Sequence, residues 1–74
     1  MDIRESMIKA LRKKYEAVIE EAKATAEVYL HRPVGIGEHP QFIEELDKLI
    51  NTIAEAEDKL TVLNNRFDDD IPFQ

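Results

Sequence analysis

The sequence predicts an all-α fold, an antiparallel hairpin of two long helices that assembles into a helical-bundle oligomer. Two segments with helical periodicity flank residues 33–40, a short stretch rich in proline and glycine. Apolar or small residues recur in both segments at steps of three and four, which marks one face of each helix. Equal steps outward pair these residues with one another, so the chain reverses between Gly35 and Ile36. We call the two facing rows the seam: Ile8, Leu11, Tyr15, Val18, Ala22, Thr25 and Tyr29 on the first helix, and Phe42, Leu46, Leu49, Ile53, Ala56, Leu60, Leu63 and Phe67 on the second.

The chain divides into a hairpin over residues 1–67 and an acidic, extended tail over residues 68–74. Within the hairpin we expect helix 1 over about residues 3–31, a turn over 32–38 and helix 2 over about 39–66. A proline follows the first segment and disfavours helical geometry in the residue before it. Another proline opens the second segment, where its missing amide costs nothing.

Length, net charge and composition exclude several classes of protein. A chain of 74 residues forms one domain at most, and its net charge of −6 disfavours general nucleic-acid binding, which draws its affinity from clustered Lys and Arg. No apolar run approaches the roughly 20 residues that span a bilayer, so we expect no membrane partner. Cysteine is absent, and no signal sequence is evident. We therefore expect a cytoplasmic location.

A second apolar line beside the seam predicts self-association. Its main members are Ile19 on the first helix and Ile43 and Ile50 on the second. One hairpin has nothing to cover these side chains, and leaving them all exposed would give a patch larger than soluble monomers usually carry. We expect a homo-oligomer, a dimer or higher, with at least four helices and with these three residues in its interface.

The turn is a candidate anion site. Gly35 and Gly37 permit positive φ and expose backbone amides ahead of a helix start, with His31, Arg32 and His39 close in sequence. The same glycines also suit any tight connection between helices, and we favour that interpretation.

Catalysis is not predicted. With no cysteine and a single serine, the sequence assembles no nucleophile, base and orienting acid. The two histidines fit no standard zinc spacing. We expect no enzyme activity, no cofactor and no metal.

Two stretches resemble known families. Residues 29–40, YLHRPVGIGEHP, together with residues 54–60, AEAEDKL, resemble small uncharacterised proteins encoded by T-even-like tailed phages and their marine relatives. The likeness covers residues 15–63 and implies a phage origin, with the host cytoplasm as the place of action. Some phage proteins of similar size and helical architecture are oligomeric sponges for cyclic oligonucleotide defence signals, which makes a small nucleotide one candidate ligand.

The tail resembles the C-terminus of bacterial single-stranded-DNA-binding protein. The similar residues are Phe67, Asp68, Asp69, Asp70, Ile71, Pro72 and Phe73. In that family the acidic residues meet a basic ridge on a partner enzyme, and the final phenylalanine offers its free carboxylate. Here Gln74 follows Phe73, so this carboxylate is replaced by an amide. The resemblance implies a host DNA-repair enzyme as a candidate partner.

The function expected from these features is that of a small, non-enzymatic interaction or accessory protein. It would act through self-association and binding of a partner. Two alternatives stay open: an oligomeric sponge that binds cyclic oligonucleotides between protomers, and a tail mimic that recruits or blocks host repair enzymes.

Overall fold

The computed structural model describes residues 2–31 and 39–67, and the statements below concern these residues. Two α-helices make up the fold: α1 spans Ile3–His31 and α2 spans His39–Arg66. They pack side by side along their length. The predicted all-α helical hairpin is confirmed.

Local contacts explain where the helices begin and end. The Asp2 carboxylate accepts a hydrogen bond from the Glu5 amide at 2.8 Å, so it caps amides at the start of α1 that have no partner within the helix. At the end of α2 the Phe67 amide donates to the Leu63 carbonyl at 3.0 Å and completes the last turn. Arg66 lies in that turn, where a positive charge is favoured by the helix dipole.

Contacts at both ends of the hairpin fix the register of the helices. At the end next to residues 32–38, Tyr29 and Phe42 meet edge to face, with ring centroids 5.5 Å apart and planes at 68°. At the other end, Nη2 of Arg4 donates to the Phe67 carbonyl at 2.7 Å. These two pairs lie equal numbers of residues from the reversal, so one register holds throughout.

The hairpin divides at its middle into an open half and a closed half. The open half comprises residues 2–16 and 55–67 and contains the chain ends of the described structure. The closed half comprises residues 17–31 and 39–54 and lies beside the connection.

The core is small because two helices share a single seam. Among the described apolar residues, three are buried: Ala22 at 4% exposure, Ala56 at 4% and Leu63 at 6%. Two of the three are alanines, whose small side chains let the helix axes approach closely while larger neighbours fill the adjoining layers. The other seam residues are half-buried, with the exceptions described next.

Three positions predicted on the seam are exposed. Thr25 faces solvent, and its hydroxyl donates to the Glu21 carbonyl of its own helix at 3.0 Å. Leu11 and Phe67 are exposed at 39% and 50%. Both lie in the open half, where they border a groove instead of closing the seam. The periodic pattern therefore overestimates how completely the seam is buried.

The close approach of the two helices at Ala22 can be tested by a pair of matched substitutions. We expect Ala22→Leu to lower the free energy of unfolding by about 1 to 3 kcal/mol, because added methylene groups force the helices apart. Ala24→Leu is the control, since it makes the same change at an exposed site of the same helix, where about 0.5 kcal/mol or less is expected. Urea denaturation followed by circular dichroism at one fixed protein concentration measures both. Equal losses would contradict close packing at Ala22.

Candidate functional site

The first candidate surface is an apolar groove in the open half. It has a volume of about 580 Å³ and lies between the start of α1 and the end of α2. Its most exposed apolar members are Ile3 at 77%, Met7 at 62% and Phe67 at 50%. Val62 and Leu11 continue the apolar lining, and Arg4, Asp58 and Lys59 provide the polar part. The arrangement suits an apolar side chain or short apolar segment that enters from outside.

The second candidate surface is a ridge in the closed half. Ile43 and Ile50, seven residues apart, lie on the same face of α2 and are 64% and 60% exposed. Ile19 on α1 lies at the level of Ile50 in the observed register and is half-buried. Of the three predicted interface residues, two therefore project from the hairpin and the third lies lower. We call this set the isoleucine ridge.

Groove and ridge lie on opposite flanks of the seam. Ile43 and Ile50 each follow a seam residue by one position, whereas Val62 precedes one, and successive helical residues turn by about 100°. On α1, Ile19 follows a seam residue and Met7 precedes one. In an antiparallel pair, the residues that follow the seam share one flank and those that precede it share the other.

Two observed contacts support this assignment. Arg12 and Asn64 each follow a seam residue, and Nη2 of Arg12 donates to Oδ1 of Asn64 at 3.2 Å across the helices. Met7 and Val62 each precede one, and both line the groove. The ridge flank is therefore polar in the open half, where Arg12 and Asn64 lie, and apolar in the closed half.

A cation lies against an aromatic ring at the inner end of the groove. Nζ of Lys59 is 5.7 Å from the centroid of the Tyr15 ring, within the range of a cation–π interaction. Tyr15 also lines the groove, so its ring presents an apolar wall there and contacts the ammonium group of Lys59. Lys59 is exposed, so the groove ends at a charged side chain that faces solvent.

Little of the predicted anion site falls within the described residues. His31 ends α1, and its Nε2 lies 3.5 Å from a carboxylate oxygen of Glu27, one turn earlier. Among the described residues, an acidic group therefore lies beside the His31 imidazole. His39 is the first residue of α2. Arg32, Gly35 and Gly37 lie outside the described residues.

The tail positions predicted to bind a partner also lie outside the described residues: Asp68, Asp69, Asp70, Ile71, Pro72 and Phe73. The described chain reaches Phe67, which lines the groove.

The described residues contain neither a membrane-spanning stretch nor a metal-binding cluster. Neither α1 nor α2 contains a stretch both apolar and long enough to cross a bilayer. Nor do residues 2–31 and 39–67 gather three or more His, Cys, Asp or Glu side chains in a geometry that could hold a metal ion.

Comparison of the chain with protein-family models, with curated proteins and with solved structures finds no match. The resemblances to a phage family and to the tail of the single-stranded-DNA-binding protein therefore stay predictions. The candidate sites depend on the geometry of this chain alone.

Sequence reasoning missed the groove as a distinct surface. Ile3 and Met7 stand four residues apart on α1, and Val62 immediately precedes the buried Leu63. This spacing was available, but the seam pattern assigned Leu11 and Phe67 to the core and so left no cavity beside them. The signal that could have revealed the groove is the excess of apolar residues where α1 begins and α2 ends.

The polar contact on the ridge flank can be tested by paired substitutions. We expect Asn64→Ala to lower the free energy of unfolding by about 1 kcal/mol relative to Asn65→Ala, because it removes a partly buried hydrogen bond to a charged group. Asn65 is exposed, and its replacement brings the same gain in helix propensity. Thermal unfolding by circular dichroism compares the two. Indistinguishable stabilities would show that the contact with Arg12 contributes nothing.

Proposed function

We propose that this chain is a small, non-enzymatic interaction protein that acts by self-association and by binding a partner through its exposed apolar surfaces. The supporting observation is the imbalance between buried and exposed apolar residues. Three apolar side chains are buried among the described residues, whereas nine large ones are exposed at 39% or more. A hairpin alone offers no second layer to cover them.

The free energies of apolar burial and of association indicate how many side chains a stable contact must cover. Covering the exposed part of one such side chain contributes about 1 kcal/mol. Association costs at least about 4 kcal/mol in lost translational and rotational freedom. One or two side chains are therefore insufficient, whereas a contact that covers five or six offsets the cost. The groove and the ridge together supply that number.

The proposed setting follows from the resemblance of residues 29–40 and 54–60 to phage proteins. We place the action of the protein in the cytoplasm of an infected cell, with a host protein as a candidate partner. Val28 and Leu30, each 57% exposed on α1 and outside both the groove and the ridge, offer such a partner an apolar contact.

Self-association is tested by light scattering at micromolar concentration. We expect a mass above the protomer mass of 8.6 kDa, and we expect Ile50→Glu to lower it, because the substitution places a charge on the ridge. Lys48→Glu is the control on the same helix. It replaces an exposed ion pair with Glu45, at 3.3 Å, by a like-charge pair, and each such exposed pair contributes little. A wild-type mass of 8.6 kDa at full helicity would contradict the proposal.

A further inference from the structure

The two apolar surfaces differ in shape, in flank and in position along the hairpin. The groove is concave and lies in the open half, whereas the isoleucine ridge projects from the opposite flank in the closed half. A surface that must contact its own copy needs to be complementary to itself. Neither the groove nor the ridge meets this condition.

Contacts of a ridge with a second ridge, or of a groove with a second groove, are unfavourable. Two ridges aligned in parallel would bring two acidic closed halves together. Two hairpins aligned antiparallel with full overlap would place each ridge against the polar part of the same flank, where Arg12 bonds to Asn64. A staggered antiparallel pair that brings the ridges together would again join two acidic closed halves. Two grooves face to face would leave their concave volumes unfilled, and such voids forfeit packing contacts.

Charge distinguishes the two halves of the hairpin. Among the described residues the closed half carries six acidic side chains and two basic ones: Glu20, Glu21, Glu27, Glu44, Glu45 and Asp47 against Lys23 and Lys48. The open half carries seven basic side chains and six acidic ones, the basic set being Arg4, Lys9, Arg12, Lys13, Lys14, Lys59 and Arg66. An antiparallel neighbour therefore sets an acidic half beside a mildly basic half at both ends of the contact.

We propose that a second copy of this chain fills the groove: the isoleucine ridge of one protomer docks into the open-half groove of the next, with the two hairpins antiparallel. Ile43 and Ile50 are the inserted side chains, and Ile3, Met7 and Val62 receive them. This inference rests on the proposed function, which supplies self-association, and adds the pairing of surfaces.

The contact has a structural consequence because its two sides differ. Each protomer that uses its ridge still offers its groove, so the interface is heterologous and adds copies in one direction. Because neighbours are antiparallel, each copy is related to the next by a half turn and a translation, so assembly continues as an open filament. A symmetric dimer is not its product.

Mixing two variants tests the pairing. Met7→Glu disables the groove and Ile50→Glu disables the ridge, and both positions are exposed, at 62% and 60%, so the hairpin itself tolerates the change. Alone, each variant should stay at the protomer mass of 8.6 kDa. Mixed in equal amounts, they should form a complex of twice that mass that grows no further, because one intact ridge meets one intact groove. Sedimentation velocity measures all three samples.

Controls separate this inference from the proposed function. Asn51→Glu adds a charge at an exposed position next to Ile50 but turned away from the ridge, and it should assemble as the wild type does. Val62→Glu provides a second groove variant that should behave as Met7→Glu does. If a single variant still associates, or if the mixture stays at 8.6 kDa while the wild type assembles, the pairing of ridge and groove is wrong but the proposed function stands. A wild-type protein that stays at 8.6 kDa overturns the proposed function as well.

Discussion

Every feature of this protein depends on one constraint, that two helices share only one seam. A helix in a larger domain can bury a wide apolar stripe between several neighbours, but here each helix has a single neighbour. The seam buries Ala22, Ala56 and Leu63 and leaves other seam residues half-exposed. Apolar residues one position to either side of the seam cannot be covered within the hairpin. The two-helix topology therefore leaves the apolar flanks of the hairpin exposed.

The two flanks differ because the seam is not uniform along its length. In the closed half, Tyr29 packs edge to face on Phe42 and keeps large side chains between the helices. In the open half Leu11 and Phe67 are exposed at 39% and 50% and border the groove, and Arg4 bonds to the Phe67 carbonyl. Cavity and projection consequently appear in different halves.

The sequence predicted the fold well because a helical hairpin is governed by local rules. Periodicity indicated the facing rows, and the proline and glycine stretch indicated the reversal. The candidate site was harder to predict. Leu11 and Phe67 fit the seam spacing yet are exposed at 39% and 50%, and spacing does not encode how completely a position on the face is covered. Periodicity drew attention to Ile43 and Ile50 as a second line, but their projection is a property of the folded surface.

Stability and assembly depend on different residues in this architecture. Alanines at the seam control how closely the helices approach, and a change there alters the hairpin itself. Residues such as Met7 and Ile50 contribute little to the hairpin because more than half of each side chain already faces solvent. Apolar side chains retained at such positions, in a chain with 35% charged residues, reduce solubility without a gain in monomer stability. Contact with another molecule is the physical role that would offset this cost, and for that reason we assign the function to the flanks of the hairpin.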